Sequence, residues 1–139
     1  MAKTTTLPIT QNIKRIANSF TSADTTTLKT IYTAGANDAI VKWIGARSSD
    51  TAAVNLALYI NDGTTDRIIG YVRVAIASGN DGATAATDLL GGTLLPQLPY
   101  DQNGKRVIPM QAGDILKAAC LVTMTAVKTL DIFGGAEEY

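Results

Sequence analysis

Strict alternation of apolar and polar positions is clearest in the middle of this chain. Val54, Leu56, Leu58 and Ile60 fall on one side of an extended segment, with Asn55, Ala57, Tyr59 and Asn61 opposite. A period of two is the mark of a strand with one buried face. Asn61-Asp62-Gly63 follows, a composition that tolerates φ > 0 and closes hairpins. Arg67 to Ile76 alternates again, with Ile68, Val72, Val74 and Ile76 set against Tyr71 and Arg73, which predicts a hairpin of the two segments. Upstream, Leu28 to Thr33 and Ala39 to Ala46 read as strands on either side of Ala34-Gly35-Ala36-Asn37, with Val41 and Trp43 on one face. Downstream, Ser78 to Gly92 is a Gly/Ala/Thr-rich excursion with one helical turn expected at Asp88-Leu89-Leu90, stopped by Gly91. Pro96 and Pro99 then hold the chain extended. Asn103-Gly104 turns into Arg106 to Met110, Ala112-Gly113-Asp114 turns into Ile115 to Met124, and Lys128 to Phe133 closes the set. About seven to eight strands with regular turn spacing predict an all-β chain, an antiparallel β-sandwich of jelly-roll or Greek-key connectivity. Its expected core is Trp43, Leu56, Leu58, Val72, Val74, Leu121 and Ile132.

Before Thr27 the alternation fails. Met1 to Thr26 is Thr-rich, and Ile9, Ile13, Ile16 and Phe20 recur at helical spacing with Thr10 placed as an N-cap. The chain therefore divides into an extended N-terminal arm, residues 1–26, and a β-sandwich domain, residues 27–139. A terminal segment of this composition orders only when something ties it down. Its apolar stripe either packs on the chain's own sandwich or docks on a neighbouring subunit. In the docking reading, Ile9, Ile13, Ile16 and Phe20 are the anchors, and Lys14 and Arg15 steer the arm toward an acidic partner surface.

Composition narrows the function. The 139 residues are 46% hydrophobic and only 17% charged, against a usual charged fraction of roughly 25%. A thinly charged surface suits contact with other protein. Twelve basic residues balance twelve acidic ones, which removes the concentrated positive field that nucleic-acid binding needs. Near-zero net charge also gives little colloidal repulsion and so tolerates assembly. No apolar run approaches a membrane span and none resembles a signal peptide, so the expectation is a soluble protein made in a reducing cytoplasm, with no membrane partner. Cys120, the single cysteine, lies between Ala118-Ala119 and Leu121-Val122 and reads as a buried, inert thiol.

The chain contains no histidine. The usual general base of serine and cysteine hydrolases is therefore missing, as is the commonest metal ligand. Neither a phosphate-binding loop nor a dinucleotide fingerprint occurs; Gly79, Gly82, Gly91 and Gly92 match neither spacing. Asn61-Asp62-Gly63-Thr64-Thr65-Asp66 resembles part of a calcium loop but lacks the full ligand series and the terminal bidentate Glu, so a plain hairpin turn is the simpler reading. The expectation is a protein without catalytic, cofactor-binding or metal-binding residues. Carbohydrate or receptor binding is the rival function, since sugars stack on exposed aromatics. Tyr59, Tyr71 and Tyr100 are its candidate surface patch, while Trp43, mid-strand beside Val41 and Ile44, is expected in the core.

Several ordered segments carry a family resemblance. They are Thr27-Leu28-Lys29-Thr30-Ile31-Tyr32-Thr33-Ala34-Gly35-Ala36-Asn37, Arg47-Ser48-Ser49-Asp50-Thr51-Ala52-Ala53, Tyr59-Ile60-Asn61-Asp62-Gly63, Leu94 to Asn103, and Gln111-Ala112-Gly113-Asp114-Ile115-Leu116. In this order, spanning Thr21 to Phe133, they resemble a family of small virion structural proteins of tailed bacteriophages and prophages. The resemblance implies a β-sandwich on the outer surface of the particle, a head decoration or cement protein clamping the major capsid protein. It also implies a homo-oligomer on the virion, bound to capsid or other virion proteins. Family members on tails or fibres are the alternative that the resemblance leaves open.

Overall fold

The computed structural model describes residues 12–92, 94–95 and 98–139. Nine strands form within them: β1 (Asn12–Thr21), β2 (Lys29–Thr33), β3 (Ala39–Ser48), β4 (Val54–Asn61), β5 (Asp66–Val74), β6 (Thr87–Asp88), β7 (Ile108–Met110), β8 (Ile115–Cys120) and β9 (Thr129–Glu138). One sheet runs β1-β9-β3-β6, with β7 also on β3; the other runs β2-β8-β4-β5. Every pairing is antiparallel. This order is a jelly roll: the chain is a hairpin rolled so that its two ends, β1 and β9, meet in one sheet and β2 and β8 meet in the other.

The two sheets bury a single core. Phe20, Ile16, Ile44, Leu56, Leu58, Leu116, Leu130 and Ile132 are fully enclosed, drawn from both sheets. Of the expected core, Leu56, Leu58, Val72, Val74 and Ile132 are buried. Trp43 and Leu121 are not, standing 55% and 47% exposed. Both corrections have local causes. The β3–β9 register shifts between Val41 and Trp43, and that bulge hands the inward position to Ile44 and turns Trp43 out. Leu121 lies one residue beyond the end of β8, where the ladder no longer imposes alternation.

The division at residue 26 is also corrected. Asn12–Thr21 is an integral strand, paired along its whole length with β9 from Asn12↔Glu138 to Thr21↔Thr129. Strand spacing, not helical spacing, then sorts its apolar residues. Ile16 and Phe20 are four apart, hence on the same face of a strand, and both enter the chain's own core. The part of the arm reading that has them docking elsewhere is overturned. Ile13 has the opposite parity and is 81% exposed, together with Lys14 and Arg15. Ile9 lies outside the described residues, as does Pro96. The helical turn expected at Asp88 is instead the end of the two-residue β6, where the Asp88 carboxylate accepts the Leu90 amide at 2.9 Å.

The connections segregate. At one end of the sandwich lie residues 22–28, 49–53, 75–86 and 121–128, three of them longer than any at the other end, which makes this the long-loop end; at the short-turn end lie residues 34–38, 62–65 and 111–114. Between β6 and β7, the described residues of 89–107 lie beside β3, with which they line a cleft.

Candidate functional site

Two surfaces stand out. The first is the outer face of β9 and β3. Once the bulge has turned Trp43 outward, it faces Gly135 across the ladder, and Phe133 of β9 likewise faces Gly45. Each ring lies over the partner strand's glycine. A Cβ on Gly135 would stand 2.6 Å from the Trp43 indole nitrogen, and one on Gly45 would stand 3.0 Å from the Phe133 ring. The missing side chains thus let both aromatics lie down on the sheet, with ring centres 6.1 Å apart and planes inclined by 59°. Beside them opens a cleft of 590 Å³ whose far wall comes from the 89–107 segment.

That wall is braced from within. Tyr100 and Arg106 form an isolated bridge around the turn at Asn103-Gly104. The Arg106 guanidinium sits 5.8 Å from the centre of the Tyr100 ring and donates to the carbonyls of Leu90 and Gly92. Tyr100 itself is 63% exposed. Lys42, Thr87, Asp88 and Lys105 supply the remaining polar side chains of the cleft. The Lys42 ammonium lies 3.8 Å from the Glu137 carboxylate, whereas Lys105 makes no ion pair among the described residues. Tyr59 and Tyr71 sit elsewhere, on the outer face of the second sheet, so the structure splits the expected tyrosine patch and sets Tyr100 with Trp43 instead. Reading Trp43 as core hid this grouping; nothing in the pattern around Lys42 announces the bulge.

The second surface is the long-loop end. Its loops are tied by buried polar groups. Asp50, 3% exposed, accepts from the Thr125 hydroxyl at 2.7 Å, the Thr125 amide at 3.0 Å and the Ala52 amide at 3.1 Å. Burial alone would push its carboxyl up, but these hydrogen bonds prevail and hold it below the usual carboxylate range. Ser78, fully buried, has its single hydroxyl proton within reach of the Ala85 carbonyl at 3.0 Å and the Ala46 carbonyl at 3.3 Å, and its own carbonyl accepts the Ser48 amide. On this stiff base stand exposed apolar side chains, Ile76, Leu121, Val122 and Val127, the last 94% exposed. Val127 also holds φ at 58°, a left-handed conformation that strains a β-branched residue.

The other candidate groups are taken up in turns or buried. Asp62 accepts from the Thr64 and Thr65 amides, the Thr64 hydroxyl and Arg67, which together hold its carboxyl well below the usual range. Asn61 donates to Asp66 at 2.6 Å, closing the hairpin that resembled a calcium loop. Among the described residues no three acidic or sulfur side chains stand together as metal ligands. Burial, and then the nearby Asp24 carboxylate, push the Cys120 thiol up to about 11. Among the described residues no helix is long and apolar enough to cross a membrane. In comparisons with known proteins, no family model and no curated protein matches the chain.

Proposed function

We propose that this chain is a structural protein of a bacteriophage particle, a decoration protein that binds the outer surface of the major capsid protein and stabilises the shell. The observation that carries this reading is the long-loop end, where Leu121, Val122 and Val127 stand exposed on a loop tied to the buried Asp50 through Thr125. Exposed apolar side chains on a preformed, rigid surface mark a site of protein contact. Rigidity matters because the ordering cost is met during folding, so little is lost on binding. The segment resemblance to virion proteins points the same way, as do the low charge fraction and balanced charges. Jelly rolls build virus shells and lectins alike, so the fold by itself decides between neither. On a symmetric particle the same modest contact repeats many times, and linked copies bind far more tightly than one.

The test compares particles carrying the protein with particles depleted of it, measuring genome release on heating and osmotic shock. Depleted particles should release at lower temperature, and adding back the purified chain should restore the original curve. A Leu121→Ser, Val122→Ser double variant should fold normally and fail to restore it. Identical release curves with and without the protein would remove the decoration reading.

A further inference from the structure

We infer that the cleft bounded by Trp43, Phe133 and Tyr100 is a saccharide-binding site that favours sugars bearing a carboxylate. The inference stands apart from the decoration reading. Docking through Leu121 and Val122 uses the long-loop end, whereas this cleft lies on the outer face of the β9–β3 sheet, so either can fail alone.

Three features converge. The first is an aromatic floor. A tryptophan in the middle of a central strand, more than half exposed, leaves a large apolar surface in water that folding alone does not reward. Its underside is covered by Gly135, and its open side faces the cleft. A pyranose ring is matched to such a floor, because its axial C–H bonds form a weakly polar face that packs on an indole while its hydroxyls point outward around the rim. The second is a polar rim at the right height. The Asp88 carboxylate uses one oxygen on the Leu90 amide, which leaves the other to accept from sugar hydroxyls. Arg106 is spent on backbone carbonyls and on Tyr100, so its part is to position the wall. The third is charge. Lys42, Lys105 and Arg106 line the cleft with one carboxylate, Asp88; Lys42 is paired with Glu137, and Asp101 acts on both lysines from outside the lining, so the local excess of positive charge is modest. Lys105 makes no ion pair among the described residues, although the Asp101 carboxylate lies within its electrostatic reach, and it is the cation placed to meet a carboxylate. The volume, 590 Å³, lies within the roughly 300–1,000 Å³ of small-molecule sites. It suits a short saccharide in an open groove. A nucleobase would also stack on Trp43, so an oligonucleotide is the competing ligand that the test must include.

Trp43 is the single tryptophan of the chain, so its fluorescence reports on this cleft and nowhere else. The folded protein is titrated with 3′-sialyllactose, lactose, trigalacturonate and oligothymidylate while its emission is followed. Saturable change with the acidic saccharides in the millimolar range, weaker with lactose, is the expected result. Tyr100→Ala should weaken binding about tenfold, the scale of one lost ring contact. Lys105→Glu should weaken the acidic sugars and leave lactose unchanged. By calorimetry, Trp43→Ala should bind none of them while unfolding as one cooperative unit, a control that separates a lost site from a lost fold. No response to any saccharide overturns the inference, as does a response to oligothymidylate stronger than to the sugars. Equal binding of lactose and sialyllactose overturns the preference for acidic sugars.

Discussion

The two ends of this sandwich solve the same problem differently. Each must reverse the chain several times. At the short-turn end the left-handed positions are glycines, Gly63 at φ 97° and Gly113 at φ 83°, so the reversals are free of strain. At the long-loop end, left-handed φ also falls on Thr25, Ala77 and Val127, residues that resist it. Each end has a buried carboxylate as its tie: Glu138 accepts the Tyr32 hydroxyl at 2.8 Å and the Gly35 amide at 3.2 Å, while Asp50 binds Thr125 and Ala52. The difference lies in what the ties support. One supports relaxed turns; the other supports strained loops that expose Ile76, Leu121, Val122 and Val127. Strain that persists on a rigid base is where functional surface is found, and that is why the long-loop end carries the docking proposal.

The core beneath both ends carries the largest expected effect. Phe20, fully buried beneath the long-loop end, should cost about 3–5 kcal/mol on substitution to Ala, measured by urea unfolding. A loss under about 0.5 kcal/mol, the range of an ordinary surface change, would show that β1 does not belong to the core and would restore the independent-arm reading.

The ties give the next largest effects, and alkaline pH separates them. The Asp50 carboxyl is held below its unfolded value, so its contribution is complete above about pH 4 and is lost as pH falls through the folded value. Acid should therefore loosen the tie between Asp50 and Thr125, and with it the 62–65 turn, where the Asp62 and Asp66 carboxyls are held low as well. The Tyr32 hydroxyl is held well above its ordinary value, by burial first and by Glu138 second. Its contribution is complete below about pH 10 and fades as pH rises above that, so alkali should loosen the short-turn end. Asp50→Ala, which leaves buried donors unmet, should cost about 2–3 kcal/mol at neutral pH, and Tyr32→Phe about 1 kcal/mol. Amide exchange of Thr125 and Gly35 as a function of pH checks the assignment. Both ends loosening together in alkali would mean that they are not separate units.

The smallest effects concern the strain itself. Val127→Gly should stabilise the fold by about 0.5–1 kcal/mol, since relief of the left-handed cost exceeds the added chain entropy. Gly63→Ala should destabilise by a similar amount, about 0.5–1 kcal/mol. No atom lies near a Cβ there, so the cost is the backbone's alone. Equal signs for the two, read from shifts in the urea midpoint, would erase the distinction between the ends.

Alternation by itself determined the all-β class, the hairpin of β4 and β5, and the turns at Gly63, Gly104 and Gly113. Each rests on neighbours in sequence: the pleat forces a period of two, and the turn chemistry is local. The same local rule placed Leu56, Leu58, Val72 and Val74 inside. It failed wherever a distant strand changed the parity. Ile13, Ile16 and Phe20 fit a helix as well as a strand until β9 pairs with them, and the pairing partners lie more than a hundred residues away. Trp43 sits in the sequence beside Val41 and Ile44 as though it were core. Only the bulge against β9 and the bare Gly135 opposite turn it out and lay it flat. Its meeting with Phe133 and Tyr100 is likewise a product of the roll, which brings β9 beside β3 and the 89–107 segment alongside. The strands were written in local pattern. The cleft was decided by register, because a one-residue shift between strands reverses which face a side chain occupies.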